Sequence, residues 1–73
     1  MSNQESEIVL SIGELIAIHR DRLHMTQGDL ANAAKVSRNY ISLLERGRGR
    51  HVSIDVLERI FNILDLEIKI THK

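Results

Sequence analysis

None of the 73 residues is cysteine. Disulfides and thiolate metal sites are thereby excluded, and a cytoplasmic protein is expected. Aromatic side chains are nearly absent, one Tyr and one Phe, which leaves no stacking surface for single-stranded nucleic acid. No apolar run approaches the roughly 20 residues that a membrane-spanning helix needs, and no basic, apolar and small-residue signal segment opens the chain. Net charge is zero. What remains is 42% hydrophobic and 27% charged, a balance that fits neither a disordered chain nor a membrane protein. A single domain of this size lies below the range where one core supplies comfortable stability, so a partner subunit is expected.

Residues 26 to 47, TQGDLANAAKVSRNYISLLERG, carry the most information. Thr26 is an N-cap residue, and Asp29 can reach back to the cap's own N–H, a variant of the capping box. Leu30, Ala31 and Ala34 give the first short helix an apolar face with small residues where another helix approaches. Ser37 is a second N-cap, Ile41 and Leu44 repeat the inward face, and Gly47 ends that helix as a residue able to turn left-handed. Two short capped helices joined by a tight turn make an element that can enter a DNA major groove.

Charge is unevenly placed. Residues 1 to 34 hold Arg20 and Arg22 against Glu5, Glu7, Glu14, Asp21 and Asp29, whereas residues 35 to 51 hold Lys35, Arg38, Arg46, Arg48 and Arg50 against Glu45 alone. Basic charge thus gathers on the second short helix and the loop after it, which matters more for phosphate contact than the whole-chain sum. In Arg46-Gly47-Arg48-Gly49-Arg50 the glycines let backbone approach closely while the arginines make forked contacts.

The rest of the chain supplies further elements. Residues 1 to 10 are expected to form a polar N-terminal arm, with Ile8-Val9-Leu10 either leading into a helix or forming a small strand. A helix is expected from Ser11 as N-cap, with Glu14 completing a capping box, to about Leu23. Ile12, Leu15, Ile16, His19 and Leu23 share one of its faces. After Ser53, Leu57, Ile60, Phe61 and Leu64 form an inward stripe at helical spacing. From residue 66 the period changes to two: Leu66, Ile68 and Ile70 alternate with Glu67, Lys69 and Thr71, the mark of a half-buried strand. A lone strand cannot satisfy its backbone, so its simplest partner is the same strand of a second subunit. Centring the two-fold on Ile68 pairs Glu67 with Lys69 of the other chain. A frayed tail or a short fifth helix are the alternatives. The expected fold is all-α, four or five helices around a central helix-turn-helix over residues 11–65, plus a dimerising C-terminal strand over residues 66–73.

The motif set Ile12-Gly13-x-x-Ile16-x-x-x-Arg20, Thr26-Gln27-x-x-Leu30-Ala31, Val36-Ser37-Arg38-x-Tyr40-Ile41-Ser42-x-x-Glu45-Arg46-Gly47 and Ser53-x-x-x-Leu57-x-x-Ile60 resembles the lambda-repressor-like helix-turn-helix family, the Xre and Cro type of regulator. The resemblance implies sequence-specific binding of double-stranded DNA, as a homodimer on a palindromic operator with recognition helices about 34 Å apart. By matched position, Arg38, Asn39, Ser42 and Leu43 would read bases, arginine forking to guanine, asparagine to adenine, and Leu43 packing on a thymine methyl. Gln27 would hold a phosphate at the first DNA-facing helix start, and Ser37, Tyr40, Arg46, Arg48, Arg50 and His51 would contact the DNA backbone. Arg20 and Glu45 occupy positions that form an ion pair in similar proteins. One departure stands out: Lys35 occupies the turn position usually held by glycine, and a left-handed lysine costs about 1 kcal/mol relative to glycine.

Other chemistry finds no support in the sequence. His19, His24, His51 and His72 have no metal-ligand spacing, and no phosphate loop, zincin signature or nucleophile elbow is present. Neither an enzyme nor a cofactor is expected. The rival function is an antitoxin subunit of the HipB kind, which binds and neutralises a toxin protein while autoregulating its operon. Such proteins combine a similar helix-turn-helix with a dimerising strand.

Overall fold

The computed structural model describes residues 4–48 and 52–67, with side chains from residue 12 onward. Among the described residues four helices follow one another: α1 (Gln4–Arg22), α2 (Gln27–Ala34), α3 (Arg38–Glu45) and α4 (Ile54–Ile63). Among the described residues there is no strand.

α1 begins seven residues before the expected start at Ser11, so Ser11 lies inside the helix rather than at its head, and Ile8-Val9-Leu10 is helical rather than a strand. The stretch from Gln4 to Ser11 contains no glycine or proline. Extending an existing helix adds one hydrogen bond per residue fixed, and a serine's capping preference alone does not stop it. The expected boundary between an arm and the domain at residue 10 therefore falls inside a continuous helix.

The other helix starts follow the cap residues. Thr26 Oγ1 accepts the Asp29 N–H at 2.9 Å, and the Thr26 N–H donates to Asp29 Oδ2 at 2.9 Å, a complete capping box. Ser37 Oγ accepts the Tyr40 N–H at 3.0 Å. Ser53 stands at the head of α4 in extended conformation, without a side-chain capping bond.

All four helices stop in the same way. The residue after the last turn takes positive φ: His24 at 57°, Lys35 at 60°, Gly47 at 72° and Asp65 at 58°. Each then donates its N–H three residues back, and the next residue donates five back: Met25 to Arg20 at 3.1 Å, Val36 to Ala31 at 3.0 Å, Arg48 to Leu43 at 2.8 Å and Leu66 to Phe61 at 2.7 Å. This is the Schellman arrangement, in which two otherwise orphaned carbonyls of the last turn are satisfied. The residue closing the motif commonly packs back on the helix, and Met25, Val36 and Leu66 do pack against the core. Only one of these left-handed positions is glycine.

The core comprises Ile16, Leu30, Ala31, Ala34, Ile41, Leu44, Leu57, Ile60, Phe61 and Leu64, all buried. The inward faces expected for α2, α3 and α4 are the ones observed. α1 differs: Ile16 is fully buried, but Leu15 is 38% and Leu23 48% exposed, although both share the expected apolar face. α2 packs against α3 and α4, while α1 packs against α3. At Gly13 the approach is closest, because a Cβ there would lie 2.3 Å from the Leu44 carbonyl oxygen. A side chain at that position would hold α1 away from the end of α3.

Leu66 also departs from its expected role. Instead of opening a strand for a second subunit, it closes the turn after α4 and packs on its own chain's core. Ile68, Lys69, Ile70 and Thr71, the rest of the expected strand, lie outside the described residues.

Candidate nucleic-acid interface

α3 is divided lengthwise. Ile41 and Leu44 are buried, whereas Arg38 and Asn39 at its start are exposed and Ser42 and Leu43 are half-exposed. Two apolar anchors at i and i+3 fix the helix on the core, leaving the opposite face and the first turn to solvent. The four residues expected to read bases thus all reach the surface. Lys35 and Ser37 before the helix and Arg46 and Arg48 after it are also exposed. Arg46 folds back, its Nε donating to the Ser42 carbonyl at 3.3 Å. Ser37 Oγ is engaged as the cap of α3. Arg50 and His51 lie outside the described residues.

Tyr40 is less exposed than its neighbours Arg38 and Asn39. Its ring is half-buried against the core, and its hydroxyl is buried with no hydrogen-bond partner among the described residues.

Behind this surface lies a polar network. Arg20 Nε and Nη2 donate to Glu45 Oε2 at 2.6 Å and Oε1 at 3.1 Å, a forked pair joining α1 to the end of α3. Arg20 Nη1 donates to the Met25 carbonyl at 2.7 Å, holding the turn between α1 and α2. Gln27 Nε2 donates to Glu45 Oε1 at 3.0 Å and brings in the head of α2. The side chains of Arg20 and Glu45 are only 17% and 7% exposed. The hydrogen bond to Glu45 raises the Arg20 pKa above the ordinary guanidinium value; burial opposes the shift, and the charges of Glu45 and Asp21 add to it. A carboxylate this enclosed is tolerable because it is paired and fully hydrogen-bonded, and removing one partner of such a pair costs on the order of 3 kcal/mol. Asp29, in the capping box, has its pKa lowered by the backbone and side-chain hydrogen bonds from Thr26.

The ends of α1, α2 and α3 meet around an open cleft of about 660 Å³ lined by Arg20, Asp21, His24, Met25, Thr26, Gln27, Gly28 and Arg38. Here the heads of both α2 and α3 are accessible, and the first N–H groups of a helix are unpaired donors suited to an anion. His24 was not among the residues expected to serve the site. No spacing in the sequence pointed to it, because it reaches the cleft through the left-handed turn that ends α1. Among the described residues no group of three or more His, Asp or Glu is placed to hold a metal, and no helix is long and apolar enough to cross a membrane.

Two capped helices packed at a tight turn, the second presenting an exposed polar first turn flanked by basic residues, define a helix-turn-helix DNA-binding unit. The helix-turn-helix family model matches residues 16–70, so the chain belongs to the helix-turn-helix family of the lambda-repressor type and is a DNA-binding transcription regulator. A comparison with curated proteins finds no match.

Proposed function

We propose that the protein reads specific double-stranded sequences with α3, without catalytic activity, and represses transcription as a homodimer on a palindromic operator. The observation that carries this reading is the exposure of Arg38 and Asn39 in the first turn of a helix anchored by buried Ile41 and Leu44. Arginine and asparagine are the two side chains best suited to fork onto guanine and adenine edges. Arg46 and Arg48 supply positive charge next to that helix, suited to phosphates.

Selection from a random duplex library tests the reading directly: it should return a palindrome with half-sites about one helical turn apart. On the selected site, Arg38→Ala should cost about 1–3 kcal/mol and relax one base position. Arg48→Ala should instead weaken all sequences alike and flatten the salt dependence by about one counterion. Equal losses on selected and scrambled DNA for Arg38→Ala would remove its reading role. Sedimentation of a chain truncated before Leu66 tests whether the C-terminal residues carry the dimer; a truncated chain that stays dimeric assigns the interface to the helices.

One observation favours the antitoxin reading as a second. Leu15 and Ile18, one turn apart on α1, are 38% and 50% exposed, an apolar surface that a protein partner would cover. Co-purification of one defined toxin in a fixed ratio would support it.

A further inference from the structure

Gln27 and Glu45 stand 18 residues apart, at the head of α2 and the last position of α3, yet their side chains are bonded. A glutamine at a helix head normally samples many rotamers. Here its amide nitrogen is held 3.0 Å from Glu45 Oε1. Glu45 is held in turn by the forked Arg20 guanidinium, and Arg20 by the Met25 carbonyl. Because a carboxylate can only accept, the bond also fixes which way the amide is turned. The nitrogen faces Glu45, and its second N–H has no partner among the described residues.

We infer that Glu45 is a positioning residue for Gln27, holding its amide at the cleft beside Arg38 so that the second N–H donates to a phosphate oxygen of duplex DNA. The inference rests on the DNA-binding reading of this surface and adds the device that prepares it. Glu45 is nearly enclosed and neutralised by Arg20, so it orients the amide without presenting net negative charge to a polyanion. Ordering the side chain beforehand removes the rotamer cost of ordering it at the moment of binding.

The test measures binding to a 20-base-pair random-sequence duplex by fluorescence anisotropy across a salt series, since a phosphate contact is independent of sequence. Four chains are compared: unaltered, Gln27→Ala, Glu45→Gln, and the double variant. Gln27→Ala should weaken binding about tenfold, the size of one hydrogen bond to a charged group. It should leave the salt slope unchanged, because a neutral donor releases no counterion. Glu45→Gln should weaken binding about threefold in the unaltered chain and not at all when Gln27 is already alanine. A purely structural Glu45 would impose the same loss in both backgrounds, and that result overturns the inference. Should Glu45→Gln fail to fold, nitrogen-15 relaxation of the Gln27 side-chain amide in the unaltered chain decides instead. An amide as ordered as the α2 backbone supports the positioning role, and one averaged like a free surface glutamine overturns it. Absence of duplex binding by the unaltered chain overturns the DNA reading and the phosphate contact together, even with the amide ordered.

Discussion

Gly13 of α1 lies so close to Leu44 of α3 that a Cβ would sit 2.3 Å from the Leu44 carbonyl oxygen and 2.9 Å from that of Glu45. Both neighbours are backbone atoms, so neither can swing aside. Two effects of Gly13→Ala then compete. Replacing a mid-helix glycine favours the helix by up to about 1 kcal/mol, while forcing a methyl into a packed contact costs about 1–3 kcal/mol. The clash should win, and urea denaturation should show a lower midpoint. A higher midpoint would mean that α1 can lift off α3 at little cost.

Three left-handed turns carry a side chain where glycine would relax them. His24, Lys35 and Asp65 each hold φ near 60°, a conformation costing an L-residue roughly 1–2 kcal/mol, against the roughly 0.5–1 kcal/mol that glycine loses in unfolded-state entropy. Lys35→Gly should therefore stabilise the fold by up to about 1 kcal/mol. His24→Gly and Asp65→Gly should do the same, and nearly additively, since the three turns share no hydrogen-bond partner. The reverse change, Gly47→Ala, should destabilise by about 1 kcal/mol. Thermal melts of the five chains would show it, and a lowered melting temperature for Lys35→Gly would contradict the strain argument.

Asp29 links the capping box to pH. Its carboxylate accepts from the Thr26 N–H, and this bond together with the Thr26 hydroxyl lowers its pKa from the ordinary 3.8. A group with a depressed folded pKa binds its proton less readily folded than unfolded. Its stabilisation is therefore complete above the unfolded value and is lost as pH falls through the folded one. At neutral pH Asp29→Asn should lower the urea midpoint, and the gap between the two chains should close below about pH 4. A gap that persists unchanged into acid would show that the carboxylate's charge is not what matters.

The burial of Tyr40 makes its expected phosphate contact testable. Its hydroxyl is buried without a partner among the described residues, and a polar group left so costs roughly 1–3 kcal/mol in lost hydration. Tyr40→Phe should keep the ring's packing and raise stability by up to about 1 kcal/mol. Binding to duplex DNA should be unchanged. A clear loss of affinity with stability intact would return the hydroxyl to the phosphate contacts.

The sequence alone determined what depends on near neighbours. Thr26 with Asp29, and Ser37 ahead of Tyr40, cap their helices because a short polar side chain three residues from an orphan N–H can reach it, although Ser53 heads α4 without making that bond. The inward faces of α2, α3 and α4 were legible because helical spacing puts Leu30 beside Ala34 and Leu57 beside Ile60 and Phe61 on one side of a rod. The pairing of Arg20 with Glu45 was legible only through the family motif, since residues 25 apart have no local reason to meet. Tertiary structure decided the rest. Whether Ser11 would start a helix depended on whether the preceding residues were already helical, a cooperative question that one side chain does not answer. Leu66 fits a period of two equally well as the first residue of a strand and as the last apolar residue of a helix stop, and the turn at Asp65 chose the second. Leu15 and Leu23 have the spacing of a buried face, but α1 packs chiefly against α3, closest at Gly13, and both side chains stay partly in water. Local rules govern which hydrogen bonds can form, whereas the surface that is covered depends on how the helices meet.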